Sequence, residues 1–197
     1  MVKIKLGGYI LMGGINDLLN LNQSFTLINP INLKGKFYIK IESIKVGNQE
    51  ENQVNTEFLL DTGTTLTYLK EEIFKYFIKS SFIEKFKEQT KEIGLKISKD
   101  FPPCLYFNTS STLKDQLKLL PSIYLKFENS TFEWKPENYL LPEYSPGNHY
   151  CLGINEGREN ILGSTFFHNI QASIDIQNLK IFITPANCSV EEFSKLK

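Results

Sequence analysis

The chain has 197 residues, which is enough for one domain or at most two small ones. Hydrophobic residues make up 41% of it and aromatic residues 13%, so it can bury a sizeable core and is not disordered as a whole. Its 22 Lys and Arg residues balance its 22 Asp and Glu residues, which argues against a nucleic-acid partner, and no apolar run reaches the ~20 residues that span a bilayer.

Short strand-like segments dominate the first third of the chain. Residues 9–12 are apolar and end at a Gly-Gly turn signal. Residues 36–41 and 44–46 have strand patterns, and Gly47-Asn48 predicts a hairpin turn after them. Residues 57–60 run directly into an Asp-Thr-Gly turn, so we predict a buried strand whose end presents a carboxylate.

From residue 70 the hydrophobic period changes from two to between three and four residues. Lysines and glutamates fill the intervening positions, which predicts an amphipathic helix with a break near Ser80-Ser81. Its apolar stripe, which we assign to core packing, consists of Ile73, Phe74, Phe77, Ile78, Phe82, Ile83 and Phe86.

After residue 103 the strand pattern returns and continues to residue 184. Many short strands with one or two short helices predict a mostly β domain, either a barrel or a folded sandwich. The predicted strands are 121–127, 131–134, 138–142, 150–154, 172–176 and 180–184, with turns at 128–130 and 177–179.

The segment Asp61-Thr62-Gly63-Thr64-Thr65 is the best candidate for chemistry. An Asp-Thr-Gly tripeptide is by itself a common turn, but here two leucines precede it and hydroxyl side chains follow it. About a hundred residues later comes a second segment, residues 160–167, in which Ile161 and Leu162 lead into Gly163 and then Ser-Thr-Phe-Phe.

These segments, in this order, resemble the C-terminal lobe of the pepsin-type aspartic proteases over nearly the whole chain. The ending at residues 184–188 looks similar to plant-type, nepenthesin-like members. The other segments that carry the resemblance are 13–15, which open the lobe, the strand pair 37–47, the catalytic loop 58–65, the strand 120–127, and the closing strands 161–167, 174–176 and 181–183.

The resemblance implies that residues 1–197 form a single lobe of the bilobal pepsin-like fold. In that fold the catalytic loop crosses the strand Ile161-Leu162-Gly163, and the glycine permits a close approach of two backbone segments. The roles implied for the loop are a catalytic carboxylate for Asp61, contact with the other lobe for Thr62, hydrogen bonds to the carboxylate for Gly63 and Thr64, and contact with the substrate backbone for Thr65.

The implied chemistry needs two carboxylates that share a proton, because two like charges a few ångströms apart cannot both ionise. This chain has one Asp-Thr-Gly, and its other four aspartates lack that context. We therefore expect an aspartic endopeptidase whose second catalytic Asp lies here, with a polypeptide substrate, no cofactor and no metal. The N-terminal lobe is expected from the same gene or from a separate chain.

Cysteines and glycosylation motifs point to the secretory route. The resemblance implies a disulfide between Cys104 and Cys151, which leaves Cys188 over. The first nine residues lack the apolar core of a signal peptide, so we expect the true N-terminus upstream and the protein in a secreted or endomembrane-lumenal location. Asn-x-Ser/Thr sequons begin at Asn22, Asn108, Asn129 and Asn187.

The sequence gives little support to metal binding or to a serine hydrolase. The cysteines and two histidines lack metal-ligand spacing, and His149 is interpreted as a solvated loop residue. No Gly-x-Ser-x-Gly elbow supports a serine triad. A non-catalytic binding or inhibitor protein on the same fold, an inactive truncated fragment, and a homodimer that pairs two copies of Asp61 stay open as alternatives.

Overall fold

The computed structural model describes residues 26–32, 35–76, 88, 96–97, 104–106, 113–142 and 149–186. In this part of the chain strands dominate and the helices are short. The strands are β1 (Thr26–Ile28), β2 (Pro30–Asn32), β3 (Phe37–Val46), β4 (Asn52–Leu60), β5 (Thr67–Lys70), β6 (Lys96–Ile97), β7 (Cys104–Tyr106), β8 (Ile123–Phe127), β9 (Ser130–Trp134), β10 (Leu140–Pro142), β11 (His149–Leu152), β12 (Ile154–Gly157), β13 (Ile161–Leu162), β14 (Ile170–Asp175) and β15 (Lys180–Pro185). The helices are α1 (Glu71–Phe74), α2 (Leu113–Leu117) and α3 (Pro136–Tyr139).

The largest sheet carries the centre of the fold. Its strand order is β12-β5-β13-β4-β3-β8-β9, with β2 paired to β3. The hairpin of β3 and β4 turns at Gly47, whose φ of +52° is a conformation that favours glycine. In this hairpin Phe37 pairs with Leu60, so the residue before β3 lies beside the residue after β4.

Two smaller sheets complete the described structure. Strands β10, β11, β7 and β6 form one, and all of their pairings are antiparallel. The other consists of β1, β15 and β14, in which β14 is an edge strand of the described residues.

The core lies between the sheets and is built from alternating apolar positions. In β8 every second residue is buried, as its period-two pattern predicts. Trp134, Tyr139 and Phe166 are at most 2% exposed, and Trp134 packs edge-to-face against both of the others. Phe166, three residues after Gly163, thus anchors the candidate crossing in the core.

The predicted fold class, a mostly β single lobe with short helices, is confirmed. Several boundaries were wrong. The segments 36–41 and 44–46 form one strand, β3, because a register shift between Ile41 and Ser43 absorbs the irregularity. Strand β4 begins at Asn52, well before the predicted residue 57.

Three further predicted strands were also wrong in part. Residues 138 and 139 are helical because Pro136 starts a helical turn there, and the strand begins only at Leu140. The segment 150–154 is two strands, which Gly153 separates as the chain passes from one sheet to another. Strand β14 ends at Asp175, one residue before its predicted end.

Some predictions fall outside the described residues. These are the strand at 9–12, most of the helix that we predict from residue 70, the opening segment 13–15, Cys188, and the sequons at Asn22, Asn108 and Asn187. Within the predicted helix, the structure assigns Glu71–Phe74 to α1.

Candidate active site

Asp61 lies directly after β4, at the point where β4 and β13 run side by side. The two strands are parallel, with Leu59 opposite Ile161 and Leu60 opposite Leu162. The Asp61 N–H donates to the carbonyl oxygen of Leu162 at 3.1 Å, which extends the pairing by one residue. The backbone of the carboxylate-bearing residue is thereby fixed to a strand about a hundred positions away in the sequence.

The carboxylate of Asp61 accepts two local hydrogen bonds. The Gly63 N–H donates to Oδ1 at 3.0 Å, and the Thr64 hydroxyl donates to Oδ2 at 2.6 Å. These bonds favour the ionised form and hold the pKa of Asp61 below its ordinary value of 3.8. The Lys36 cation lowers this pKa by a smaller amount. Phe37 pairs with Leu60, so Lys36 before the one and Asp61 after the other come near each other.

Gly163 brings the second segment against the carboxylate loop. A Cβ atom at position 163 would lie 2.6 Å from the carbonyl oxygen of Thr64 and would clash with the carbonyl of Leu66. Two hydrogen bonds follow the glycine: Ser164 N–H donates to Thr64 O at 2.7 Å, and Thr165 N–H donates to Thr65 O at 3.2 Å. The absence of a side chain at this position is therefore what allows the two backbones to pair.

Two buried residues that fix the crossing, Thr165 and Asn160, were not among the predicted site residues. The buried Thr165 hydroxyl accepts from Thr67 N–H and donates to the carbonyl of Gly153, both at 2.8 Å. Buried Asn160 accepts from Lys70 N–H at 2.8 Å through Oδ1. The signal available in the sequence was a polar residue, Asn160, directly before the apolar pair 161–162, and a second one, Thr165, two positions after Gly163.

The outer surface of the loop is open. Thr62, Gly63 and Thr65 are exposed, whereas Asp61 and Thr64 are half-buried. Donors in its own loop thus hold the carboxylate, and the exposed residues of that loop remain accessible to a ligand. The assignment of catalytic and substrate contacts to these residues stays a prediction.

The disulfide that the resemblance implied between Cys104 and Cys151 is present. It joins β7 to β11, where the two cysteines face each other in the antiparallel register. The covalent bond closes a loop with a sequence separation of 47 residues.

Both histidines lie in the described residues, and the sequence prediction of a solvated loop residue concerned His149 alone. His149 is 7% exposed and lies in β11, so the interpretation as a solvated loop residue was wrong. It is buried because β11 is paired on both sides, by β7 and by β10. His168 is half-buried, and burial lowers its pKa.

The remaining acidic residues lie elsewhere. Of the aspartates in the described residues, Asp115 forms an exposed ion pair with Lys118, and Asp175 ends β14 in a turn, where it accepts hydrogen bonds from Asn178. The described residues contain no group of three or more His, Cys, Asp or Glu residues with the proximity of a metal site. Their helices are all too short to cross a membrane.

Comparisons with known proteins agree with this geometry. The family model for eukaryotic aspartyl proteases matches residues 3–186. Plasmepsin V from Plasmodium falciparum, isolate 3D7, is 27% identical over 188 residues, an alignment that covers 80% of this chain and 31% of plasmepsin V. The chain therefore spans less than a third of the length of this relative.

Two solved seed-protein structures have a similar fold. Conglutin gamma from lupine seeds has a TM-score of 0.64 and 18% identity, covering 91% of this chain and 44% of its own. Basic 7S globulin from soybean has a TM-score of 0.66 and 18% identity, covering 89% of this chain and 46% of its own. The carboxylate at the strand crossing and the family match over most of the sequence lead to one conclusion: this chain belongs to the eukaryotic aspartyl protease family.

Proposed function

We propose that this chain supplies one of the two catalytic aspartates of an aspartic endopeptidase. The observation that carries the proposal is the state of Asp61, a carboxylate with two hydrogen-bond donors at a strand crossing whose outer surface is open. A merely structural carboxylate at a strand end has no need of a crossing that excludes a side chain at position 163.

The chemistry follows from pairing this carboxylate with a second one. Two carboxyl groups in hydrogen-bonding range share one proton and titrate as a unit. The ionised member acts as a general base on a water molecule, while the protonated member polarises the scissile carbonyl. The donors from Gly63 and Thr64 keep Asp61 ionised in the isolated chain, which is the state required of a base. The substrate is an extended polypeptide cleaved between apolar residues.

The second carboxylate comes from another lobe, and the edge of β14 is the surface we assign to its docking. Among the described residues β14 pairs on one side only, with β15. An edge of this kind is where a further strand can add. Large apolar side chains are exposed in β14 and in the turn after it: Ile174 is 43% exposed, Ile176 70% and Leu179 48%. Replacing Ile174 by Lys is expected to reduce association with the other lobe without unfolding the chain, since the side chain already faces outwards.

Peptide cleavage at acid pH by the full-length gene product tests the proposed activity. The variant Asp61→Asn is expected to lower kcat/KM by about 10²–10⁴-fold, because an amide can neither accept nor release the shared proton. Asp115→Asn is the matched control, since its exposed carboxylate pairs with Lys118 and belongs neither to the crossing nor to the edge of β14. Equal activity of the wild type and Asp61→Asn would contradict the proposal.

A binding or inhibitor protein on the same fold predicts a different result. It has no cleavage activity at any pH, and a protein partner rather than a peptide substrate stabilises it. A pepstatin-type inhibitor separates the two functions, because it raises the Tm of a protease with an assembled carboxylate pair and leaves a partner-binding module unchanged.

A location in the secretory pathway is also proposed. The Cys104–Cys151 disulfide requires an oxidising compartment to form and persist. Asn129 is exposed in the two-residue turn between β8 and β9, and its sequon partner Thr131 is exposed as well, so the acceptor is accessible for an N-linked glycan. Peptide mass mapping after enzymatic deglycosylation of secreted protein tests this, and the variant Thr131→Ala should lose modification at Asn129 alone.

A further inference from the structure

Ser164 reaches the carboxylate of Asp61 through a single peptide group. The Ser164 hydroxyl donates to the carbonyl oxygen of Thr62 at 2.7 Å. The N–H on the other side of that same peptide group belongs to Gly63, and it donates to Asp61 Oδ1 at 3.0 Å. One planar unit therefore accepts from the second segment at one end and donates to the carboxylate at the other.

Because the peptide group is planar, the hydrogen bond to its oxygen also constrains its N–H. The C=O and N–H of one trans peptide point in opposite directions in a common plane, so an anchor on the oxygen fixes the direction of the N–H. Without the anchor, the peptide between Thr62 and Gly63 can rotate about its flanking φ and ψ angles. Thr62 and Gly63 are both exposed, so water would then compete for the Gly63 N–H.

The position of Ser164 does not depend on its own hydroxyl. Its N–H donates to Thr64 O at 2.7 Å, and its carbonyl accepts from Phe167 N–H at 3.1 Å. Gly163 before it and buried Phe166 after it hold the same segment in place. The hydroxyl is thus presented to Thr62 by a rigid backbone, and its removal alters one hydrogen bond only.

We propose that Ser164 is a positioning residue that orients the peptide between Thr62 and Gly63 so that its N–H holds the Asp61 carboxylate in place. The family resemblance implies no role for Ser164, and the residues that its hydroxyl links to the second segment, Thr62 and Asp61, are about a hundred positions away from it in the sequence. The positioning itself is a property of this chain; only its catalytic consequence rests on the proposed protease function.

Titration of the Asp61 carboxyl carbon by NMR tests the positioning on the chain itself. Ser164→Ala is expected to raise the pKa of Asp61 towards its ordinary value, because the Gly63 hydrogen bond that lowers the pKa is weakened. Ser164→Thr retains the hydroxyl and should restore the wild-type titration. An unchanged titration of Asp61 in Ser164→Ala would overturn the proposal.

Ser130→Ala is the matched control for loss of an exposed serine hydroxyl. Ser130 donates to the carbonyl of Leu27 at 2.8 Å, in a geometry like that of Ser164 but at the β8–β9 turn. It should leave the Asp61 titration unchanged. If Ser130→Ala shifts the Asp61 pKa as much as Ser164→Ala does, the shift reflects a general loss of stability of the fold, and the proposal fails.

Peptide cleavage by the full-length product measures the catalytic consequence. Ser164→Ala is expected to lower kcat about fivefold, which is the equivalent of one neutral hydrogen bond, and to leave KM unchanged. The acid limb of the pH–rate profile should move to higher pH, because the pKa of Asp61 is raised. Ser164→Thr should recover activity. A wild-type product without cleavage activity would contradict the protease function, whereas the NMR titration would still decide the positioning.

Discussion

A methyl group on residue 163 would lie 2.7 Å from the carbonyl carbon of Leu66, so Gly163 and Leu66 form a contact that only glycine permits. The contact is rigid because hydrogen bonds flank it: Asp61 to Leu162 on one side, and Ser164 to Thr64 on the other. The carboxylate loop is therefore held rigidly against β13 and Gly163. A substitution at Gly163 would displace the backbone that carries Asp61.

Gly163→Ala is expected to destabilise the fold by about 3 kcal/mol or more, because the obstructing atoms belong to backbone that cannot move aside without breaking the crossing. Urea unfolding at neutral pH measures the loss. Gly35→Ala is the control: a Cβ at position 35 meets no atom within 4 Å, and only its φ of +73° opposes the change, at about 1 kcal/mol. Similar losses in both variants would contradict the steric argument.

The stability of the chain should fall on acidification in a manner that depends on Asp61. Its folded-state pKa lies below 3.8, so the unfolded chain binds the proton more readily. The stabilisation is complete above the unfolded-state pKa and is lost as the pH falls below 3.8 through the folded-state value. Thermal unfolding from pH 6 to pH 2 measures this, and Asp61→Asn should show a smaller decline in Tm below pH 4 than the wild type.

Asp175 provides an internal comparison for that experiment. Its pKa is also lowered, first by the Asn178 side-chain amide and then by the Asn178 N–H. Asp175→Asn should therefore reduce the acid-dependent decline as well, although Asp175 lies at the end of β14 and not at the crossing. If both variants retain the full decline in Tm, the hydrogen bonds to these carboxylates do not favour the ionised form.

Removal of the disulfide should cost about 4 kcal/mol of unfolding free energy, since the bond closes a loop with a separation of 47 residues. The double variant Cys104→Ser/Cys151→Ser, compared with the wild type in guanidinium chloride, gives the value. Wild-type protein under reducing conditions should unfold at the same denaturant concentration as the double variant. A wild type indifferent to reductant would show that the two cysteines are not paired.

The buried hydroxyl of Thr165 should contribute to stability through its hydrogen bonds to Thr67 and Gly153. Thr165→Val preserves the shape of the side chain but removes the hydroxyl that donates to the Gly153 carbonyl and accepts from Thr67 N–H. These two backbone groups then keep only the 3.0 Å hydrogen bond between them. We expect a loss of about 1–3 kcal/mol in unfolding free energy. Thr56→Val, in half-buried β4, should change the stability by less than about 0.5 kcal/mol. Equal effects would show that the hydroxyl network is dispensable.

Local patterns were sufficient for most of the fold. The alternation in β8 predicted which of its side chains are buried, and Gly47 predicted the hairpin turn. Two strand predictions were wrong for different reasons. Gly153 divides the segment 150–154 into two strands that belong to different sheets. Pro136 begins a helical turn where the sequence predicts the start of a strand. Neither change is visible in the hydrophobic period, because residues 138–140 and 152–154 are all buried and no alternation marks the boundary.

The sequence by itself determined the class of this protein, because Asp61, the small residues after it and Gly163 are local features whose order along the chain is specific. Only the tertiary structure decided what holds the carboxylate. Lys36 comes near Asp61 because β3 pairs with β4, and Ser164 meets Thr62 because β13 runs parallel to β4. These partners are distant in sequence, and no periodicity encodes a contact that arises from the pairing of two strands.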